Sequence, residues 1–491
     1  MRAGEIVAAM EAYCAAGEYD RAFAALESDM GRHLVTENAG FFNEMFKSCP
    51  EAILERHLGA AFKYAIAAFS ASDFSSFDGQ LAWLTEKCTA LPHGQEADTW
   101  RGELEFLHSL AAFNDIEAMS VHHRRANFLL GRPTGLFGKN ASWTLGSPSV
   151  LFMFYRESGK LNEEVRRMHD CLPHYYQLAS YHGAGGELLM EAEALYNAGR
   201  FAEAEILCHR GEAMAGHHAQ LGNMICAVFL RLRLALVSGE AEKAQGLVTA
   251  MHSLIAQSRD YFLLHTVDMC VGWLYAALRR PEKMPAWLRS ELTEGSRLYA
   301  FAKGWYYIVH GRALLLGKEY ARVLGLFGYL LEKGLFRKHL LFSIYAHIYL
   351  AAAYQGQGKA VQAAEAFGYA LDVALPDEVY MPFAENYDLL APVFKVKKRG
   401  RPGKRLKTAL VLAEQMEACR RAIIDKISDQ RPLGFTSREY ETALLMAEGL
   451  PSDEIAQRLH ISLNTVKFHL KNVYRKTGAA SRLALKKMLE S

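Results

Sequence analysis

The sequence lacks the patterns of a secreted or metal-binding protein. Its eight cysteines are scattered through 491 residues without a C-x-x-C pair, so we expect neither a disulfide framework nor a zinc site, and buried thiols in a reducing cytoplasm are the default. The first twenty residues contain Glu5, Glu11 and Glu18 and no uninterrupted apolar stretch, which argues against a signal peptide. Adjacent histidines, such as His122-His123, point about 100° apart on a helix and are not expected to share a metal.

Long apolar runs are also missing. The best candidate for a membrane segment, Leu340–Tyr354, has fifteen residues and contains Ser343 and His347. A helix needs about 20 apolar residues to cross a bilayer. We therefore interpret this stretch as a buried helix and expect no membrane partner.

No nucleotide-binding or catalytic pattern is present. The nearest string to a phosphate-binding loop runs from Gly311 to Glu319, with five residues between its glycines instead of four and a glutamate where a magnesium-binding hydroxyl belongs. Alternating strands and helices, which a phosphoacceptor receiver would need, are absent, and strand signals are rare throughout. The sequence therefore predicts an all-α protein that is not an enzyme, with no catalytic residues, cofactor or metal.

The C-terminal end contains two short amphipathic helices joined by a tight turn. Ser452 is placed to cap the first helix, and Ser462 is placed to cap the second, which is predicted from Leu463 to about Lys476. The core-facing residues are predicted to be Ile455, Ala456 and Leu459 on the first helix and Val466, Leu470, Val473 and Tyr474 on the second. This is the layout of a helix-turn-helix whose second helix enters the DNA major groove.

The match extends beyond this layout. The segments concerned are Phe435–Glu439, Ala447–Leu450, Glu454–Ala456, Leu459, Ile461-Ser462, Thr465–Leu470, Tyr474–Lys476 and Ser481-Arg482. Over residues 432–489 they resemble the LuxR-type DNA-binding domain nearly position by position, which implies a four-helix domain. Thr477 stands where the family usually has leucine, which predicts looser packing at the end of the second helix.

The resemblance and the exposed face of the second helix together indicate the DNA contacts. Lys467, Phe468 and Lys471 are expected to approach base edges, because lysine can donate to guanine and phenylalanine can pack on a thymine methyl. The other candidate contacts, nearer the phosphates or supporting the helix, are Asn464, Thr465, His469, Arg475, Lys476, Ser481 and Arg482. The last helix, Ser481–Leu489, offers Leu485, Met488 and Leu489 as an apolar seam for a second copy, since the family binds DNA as dimers.

Charge is distributed unevenly along the chain. Residues 395–491 hold 21 basic and 10 acidic side chains, and the rest hold 35 and 44, so a terminal +11 is joined to a body of −9. Such a division is typical of a DNA-binding module attached to a non-binding one. The centre of the basic linker, Arg399-Gly400-Arg401-Pro402, resembles an AT-hook core, in which Arg399 and Arg401 would touch a minor groove. A solvated linker is the main interpretation, and an arm that contacts phosphates is another.

The body contains a repeat with a step near forty residues. An apolar helix ends at glycine, a polar turn follows, and in the clearest copies the second helix has alanine five residues after the glycine. The glycines of its regular part are Gly159, Gly199, Gly239, Gly317 and Gly358, at steps of 40, 40, 78 and 41 residues. The missing copy falls at Arg279-Arg280-Pro281, and Ser72-Asp73-Phe74 and Asn114-Asp115-Ile116 look like degenerate copies. Because such a hairpin cannot bury its own apolar face, neighbouring copies are expected to stack into an α-solenoid.

These repeats resemble tetratricopeptide arrays. Their step, and Tyr380–Glu385, are more similar to the helical-repeat region of the large ATP-binding LuxR regulators of the maltose-regulator type, although the ATPase motif of those regulators is missing. The predicted regions are 1–150 (divergent helical repeats), 151–394 (tetratricopeptide-like repeats), 395–431 (basic linker and a connecting helix over 406–427) and 432–491 (LuxR-type domain). Aromatic residues of the inner helices, such as Tyr175, Trp273 and Trp305, are candidates to line a concave binding surface, although aromatics at helical spacing are usually core.

The sequence thus favours a cytoplasmic, bacterial, one-component transcription regulator. Its expected partners are double-stranded DNA, a second copy of the chain on DNA, RNA polymerase, and an unknown effector, peptide or protein on the repeats. The alternative is a helical-repeat scaffold for protein interactions, whose terminal helix-turn-helix binds protein rather than DNA.

Overall fold

The computed structural model describes residues 3–27, 39–136, 142–258, 263–292, 298–336, 338–398, 403–424, 435–447, 449–459 and 461–490. Regular secondary structure in these ranges is entirely helical. The helices before the regular repeats are α1 (Ala3–Ala15), α2 (Tyr19–Glu27), α3 (Ala39–Ser48), α4 (Glu51–Leu54), α5 (Leu58–Ser70), α6 (Phe74–Ala90), α7 (Gln95–Ala111) and α8 (Ile116–Leu130).

The regular part of the body begins after residues 131–148, which contain no helix where the structure describes them. Its helices are α9 (Val150–Phe154), α10 (Leu161–Leu178), α11 (Gly186–Asn197), α12 (Phe201–His217), α13 (Leu221–Ser238), α14 (Ala241–Ser258), α15 (Leu264–Ala277), α16 (Lys303–Leu316), α17 (Tyr320–Glu332), α18 (Leu340–Gly356) and α19 (Ala360–Ala374). Short 3-10 segments include Pro281–Lys283, Ala286–Arg289 and Leu375–Asp377.

The C-terminal part continues with three helices that return to the body and a group of four short ones. They are α20 (Met381–Glu385), α21 (Tyr387–Lys398), α22 (Lys404–Ile424), α23 (Ser437–Ala447), α24 (Ser452–Leu459), α25 (Leu463–Thr477) and α26 (Arg482–Glu490). The connecting helix predicted over 406–427 is described from 404 to 424, and residues 425–427 lie outside the described part of the chain. Arg399 and Arg401 lie outside the described residues.

Most glycines of the forty-residue step take the left-handed conformation. Four of them have positive φ: Gly159 (82°), Gly199 (80°), Gly239 (74°) and Gly358 (75°). Such a residue lets the following N–H reach back to the end of the helix, as Arg200 N does to Leu195 O at 2.9 Å. The glycines are therefore turn-forming residues between consecutive helices.

The step continues where the sequence shows no suitable glycine. Gly317 is right-handed (φ −76°) and Lys318 takes the left-handed position instead, with φ 61°. At the position of the missing copy Arg279 does the same, with φ 59°, just before Pro281. A forty-residue spacing of left-handed turns thus extends without interruption from Gly159 to Gly358.

The chain of helices closes on itself. Tyr155 donates its hydroxyl to Asp377 at 2.7 Å, and Leu340 N donates to Tyr155 O at 2.9 Å. From the earlier helices, Asn114 donates to Lys338 O at 2.9 Å. One apolar core runs through the body from Val7 to Ile423 as a result.

This closure buries the aromatic side chains that the sequence placed on a concave surface. Trp305 and Tyr306 are fully buried, and Tyr175, Tyr176, Trp273, Tyr275, Tyr345 and Tyr349 have relative exposures of 1–8%. The candidate lining was wrong for these residues, because their ring faces meet other helices of the body, as Trp305 meets Phe152 and Phe229. A binding site on the body must be sought elsewhere.

The longest apolar helix is α13 rather than the segment that begins at Leu340. Among the described residues, Leu221–Ser238 is the one helix long and apolar enough to cross a membrane, and 72% of it is buried inside the body. Taking Leu340–Tyr354 as the strongest membrane candidate was therefore wrong. Its interpretation as a buried helix agrees with the structure, since α18 contributes Ile344, Ile348 and Ala351 to the core.

Helix α22 is attached to the body by charged groups with little access to solvent. Asp388 on α21 accepts from Arg312 (2.9 Å), Arg279 (3.1 Å) and Arg420 (3.2 Å). Arg420, on α22, is buried and also donates to Glu385 O at 2.8 Å. Since one carboxylate joins guanidinium groups of α16 and α22, the connecting helix is held as part of the body.

Candidate nucleic-acid interface

The first helix of the terminal group, α23, begins with a reciprocal cap. Thr436 N donates to Glu439 Oε2 at 2.8 Å, and Glu439 N donates to Thr436 Oγ1 at 3.2 Å. This pairing satisfies two of the N–H groups that a helix start leaves free. The Glu439 carboxylate also accepts from the Lys476 ammonium at the far end of α25. Glu439 therefore ties the first helix to the third.

Helices α24 and α25 form the predicted bihelical unit. Ile455, Ala456 and Leu459 pack with Val466 and Leu470 in one small apolar cluster. Val473 belongs to a second cluster with Leu485, and Tyr474 packs against both. The predicted core-facing residues of both helices are thus correct.

Ser462 caps α25 as expected. Thr465 N donates to Ser462 Oγ at 3.1 Å, and the helix ends at Gly478, which has φ 68°. Thr477 does not loosen this end, contrary to expectation. Its hydroxyl donates to Val473 O at 2.9 Å and accepts from Ala479 N at 3.1 Å, so it closes the last turn.

The outward face of α25 is basic and open to solvent. Its exposed side chains are Asn464, Lys467, Phe468, Lys471 and Arg475. Phe468 is 61% exposed and has no partner in the apolar clusters. We call these five residues the outer face of α25. An exposed aromatic ring between lysines suits the edge of a base pair rather than a protein core.

The remaining candidates have partners within the terminal group. Arg482 donates to Met446 O and, at 2.9 Å, to Leu450 O, so its guanidinium caps the end of α23. Ser481 Oγ accepts from Ala484 N at 3.2 Å and starts α26. Thr465 and His469 are partly buried, and that partial burial lowers the pKa of His469. Arg482 and Lys476 thus have structural roles in addition to any contact with phosphate.

The exposed apolar surface of the last helix differs from the one that the sequence predicts. Leu485 is fully buried in the core of the terminal group, so it cannot face a second copy. Leu483 (65% exposed) and Met488 (41% exposed) are the apolar side chains that α26 presents to solvent. Helical periodicity could have predicted that Leu483 is exposed. It was not considered because it lies at the start of the helix, just after Ser481.

A basic outer face on the second helix of a capped bihelical unit defines the class of helix-turn-helix domains of DNA-binding regulators. Residues 433–489 match the family model described as "Bacterial regulatory proteins, luxR family". The terminal group is therefore a LuxR-family helix-turn-helix domain.

Curated relatives match over this part of the chain. The probable transcriptional regulatory protein SgaR of Hyphomicrobium methylovorum is 42% identical over 59 residues, which are 12% of this chain and 28% of that protein. The regulatory protein SdiA of Escherichia coli (strain K12) is 40% identical over 77 residues, 16% of this chain and 32% of its own length. The monoamine regulon transcriptional regulator of Klebsiella aerogenes is 40% identical over 57 residues, 12% of this chain and 25% of that protein. The chain thus spans between a quarter and a third of the length of these relatives.

Proposed function

We propose that the protein is a one-component, sequence-specific transcription regulator of the cytoplasm. Residues 432–491 bind double-stranded DNA, and the helical body of residues 1–394 receives a signal or a partner. The observation that carries the proposal is the solvent-exposed basic outer face of α25, on a domain of a family of regulators. Residues 395–431 connect the two.

In this proposal Lys467, Phe468 and Lys471 read base edges. Asn464, Thr465, His469, Arg475 and Ser481 lie against the phosphates or beside the recognition helix, and Lys476 and Arg482 hold its frame. Arg399 and Arg401 are accessory contacts from the linker. Two copies occupy paired half-sites, and the bound dimer meets RNA polymerase.

The body is proposed to be an array of tetratricopeptide-like hairpins, divergent over 1–150 and regular over 151–394. Support comes from the evenly spaced left-handed turns between Gly159 and Gly358 and from the similarity in step to the repeat region of maltose-type regulators. Without an ATPase motif, the signal acts through the body itself.

The proposal is tested on the promoters of the gene and its neighbours. Full-length protein should bind at least one such fragment in a gel-shift assay, and the double variant K467A/K471A should lose that binding. A matched double variant, K333A/K338A, changes two lysines of the body and should bind normally. If no promoter fragment is bound above the level of unrelated DNA, or if the two double variants behave alike, the protein is not a sequence-specific regulator and a protein-binding scaffold is the better interpretation.

A further inference from the structure

An open cavity in the described part of the body lies between α10, α11 and the 3-10 segment Leu375–Asp377. Its volume is about 540 Å³, within the range of small-molecule sites. Leu161, Val165 and Leu195 supply apolar walls. Charged groups of both signs stand around them.

Most of these charged groups are already paired. His169 Nε2 lies 2.8 Å from Glu191 Oε2, and Arg200 pairs with Glu203. Asp377 accepts from Tyr155 Oη, Gly159 N and Leu161 N at 2.6–3.0 Å. These groups therefore stabilise the walls of the cavity through contacts within the protein.

Two of them are available to a ligand. Arg166 on α10 and Glu378, just after Asp377, are both exposed, and neither forms an ion pair with another described residue. Glu378 has a 3.5 Å contact from the Tyr380 hydroxyl, and its negative charge, after that of Glu203, contributes to the raised pKa of the nearby Arg200. One exposed cation and one exposed anion, neither in a close ion pair, therefore stand on different segments beside an apolar lining.

We propose that this cavity binds a short peptide with apolar side chains and free ends, two or three residues long. Its terminal carboxylate pairs with Arg166, its terminal ammonium pairs with Glu378, and its side chains cover Leu161, Val165 and Leu195. The inference rests on the proposed function, for which it names the effector class and the site. A single net charge on the ligand would leave one of the two groups unmatched, whereas an apolar zwitterion satisfies both.

The wall of the cavity is continuous with a turn that packs on α22, the helix that leads to the DNA-binding domain. Its wall includes Ala198 and Arg200, and Gly199 between them packs against Leu412 of α22, so closely that a methyl group on Gly199 would lie 2.9 Å from Leu412 Cδ1. Three residues after Glu378, α20 begins, and its Glu385 carbonyl accepts from Arg420 of α22. A ligand that draws Arg166 and Glu378 together therefore acts on both supports of α22.

Binding is tested by calorimetry on the full-length protein, with trileucine as the probe. Wild-type protein should bind one trileucine per chain, and R166Q and E378Q should each weaken that binding about tenfold, as expected for loss of one charged contact. R210Q and E365Q are matched controls, because both residues are exposed on other helices; they should leave binding unchanged. The absence of saturable binding, or equal behaviour of all four variants, would overturn the site.

Blocked peptides identify which end meets which residue. N-acetylation of trileucine should weaken binding to wild-type protein but make no further difference to E378Q. C-terminal amidation should weaken binding to wild-type protein but make no further difference to R166Q. Additive losses in both pairs would contradict the proposed orientation.

The readout on DNA separates this inference from the proposed function. If trileucine binds with the expected variant pattern and leaves promoter affinity unchanged, the site stands and the sensing role of the body fails. If promoter affinity responds to cell extract while trileucine does not bind, sensing stands and this site is wrong. If trileucine binds and also changes promoter affinity, L412A should keep peptide binding and lose the response on DNA.

Discussion

At the scale of single residues, the outer face of α25 contains side chains that the fold does not need. Lys471 is exposed and lies outside the apolar clusters of the terminal domain, so Lys471→Ala should leave the melting temperature unchanged. On the specific promoter it should cost about 1–3 kcal/mol of binding free energy. Lys486→Ala, the same change on exposed α26, should keep wild-type affinity. Fluorescence anisotropy on specific and scrambled fragments checks this, and equal losses on both fragments would argue against base readout.

Arg475 is expected to behave differently. It is exposed and donates to Asn472 Oδ1 at 3.1 Å, one turn beyond the residues assigned to bases. As a phosphate contact it should contribute equally on every sequence. Arg475→Ala should weaken specific and non-specific fragments alike and reduce the salt slope by about one. A selective loss on the specific fragment would move Arg475 to the base-reading group.

The ion pair between Lys476 and Glu439 predicts a loss of stability rather than of specificity. Glu439 is 4% exposed and accepts from both Thr436 N and the Lys476 ammonium. Glu439→Gln should lower the free energy of unfolding of the terminal domain by about 1.5–3 kcal/mol. Asp453→Asn, at an exposed position on α24, is the comparison. Thermal unfolding followed on the two variants should separate them, and identical transitions would show that the pair contributes nothing.

Residue-scale features were predictable from sequence where they depend on neighbours along the chain. Ser462 and the Thr436–Glu439 pair are local caps, and the glycine turns are local as well. Leu485 was placed on the wrong side, because its burial depends on Ala443 and Val473 of other helices. The capping role of Arg482 could not be predicted, because its bonds to Met446 O and Leu450 O join segments more than thirty positions apart.

At the scale of elements, the connecting helix α22 depends on the Asp388 carboxylate. Burial raises the pKa of Asp388, but the guanidinium groups of Arg312 and Arg420 lower it more, so the net pKa lies well below the usual range. Asp388→Asn would leave those guanidinium groups buried without their counter-charge. It should destabilise the body by about 3–5 kcal/mol. Asp372→Asn, at an exposed position on α19, should have little effect in the same chemical unfolding experiment.

The same carboxylate gives the body a pH dependence of known sign. Because the folded pKa of Asp388 is depressed, the group stabilises the fold above its unfolded pKa, near 3.9. That stability is lost as the pH falls through the unfolded pKa towards the folded one. The difference in unfolding free energy between wild type and Asp388→Asn should therefore be constant from pH 5 to 7 and shrink below about pH 4. A difference that grows in acid would contradict this assignment.

The sequence predicted the helix pairs but not the contacts between distant helices. The forty-residue step predicted the helix pairs, and it continues at Arg279 and Lys318 because the left-handed turn is set by packing of the flanking helices rather than by glycine alone. The closure through Tyr155, Asp377 and Leu340 joins residues about 180–220 positions apart. Sequence periodicity carries no information on contacts between residues so far apart. The prediction that the aromatic residues line a concave surface was therefore wrong.

At the scale of the whole molecule, the terminal domain also touches the body directly. The Tyr440 ring of α23 lies 5.6 Å from the His252 ring of α14, nearly edge-on, and packs against the main core. Tyr440→Ala should release this contact and raise amide exchange in α14, while Tyr440→Phe should keep it. If both variants exchange like wild type, the contact does not hold the domain against the body.

We expect two chains to bind one DNA duplex through an apolar contact of α26. Leu485 is buried within the terminal domain, so a second copy would have to contact the apolar side chains of α26 that remain exposed. Leu483 is the most exposed of them, at 65%. Leu483→Gln removes apolar surface without adding charge near DNA. It should lower affinity for paired half-sites about tenfold, because dimer contacts are lost, and leave affinity for a single half-site unchanged. Phe128→Gln is the matched control, since Phe128 is 88% exposed on α8, outside the terminal domain. Mass photometry should find two wild-type chains per duplex, and one chain on a paired site at saturation would show that the protein acts on DNA as a monomer.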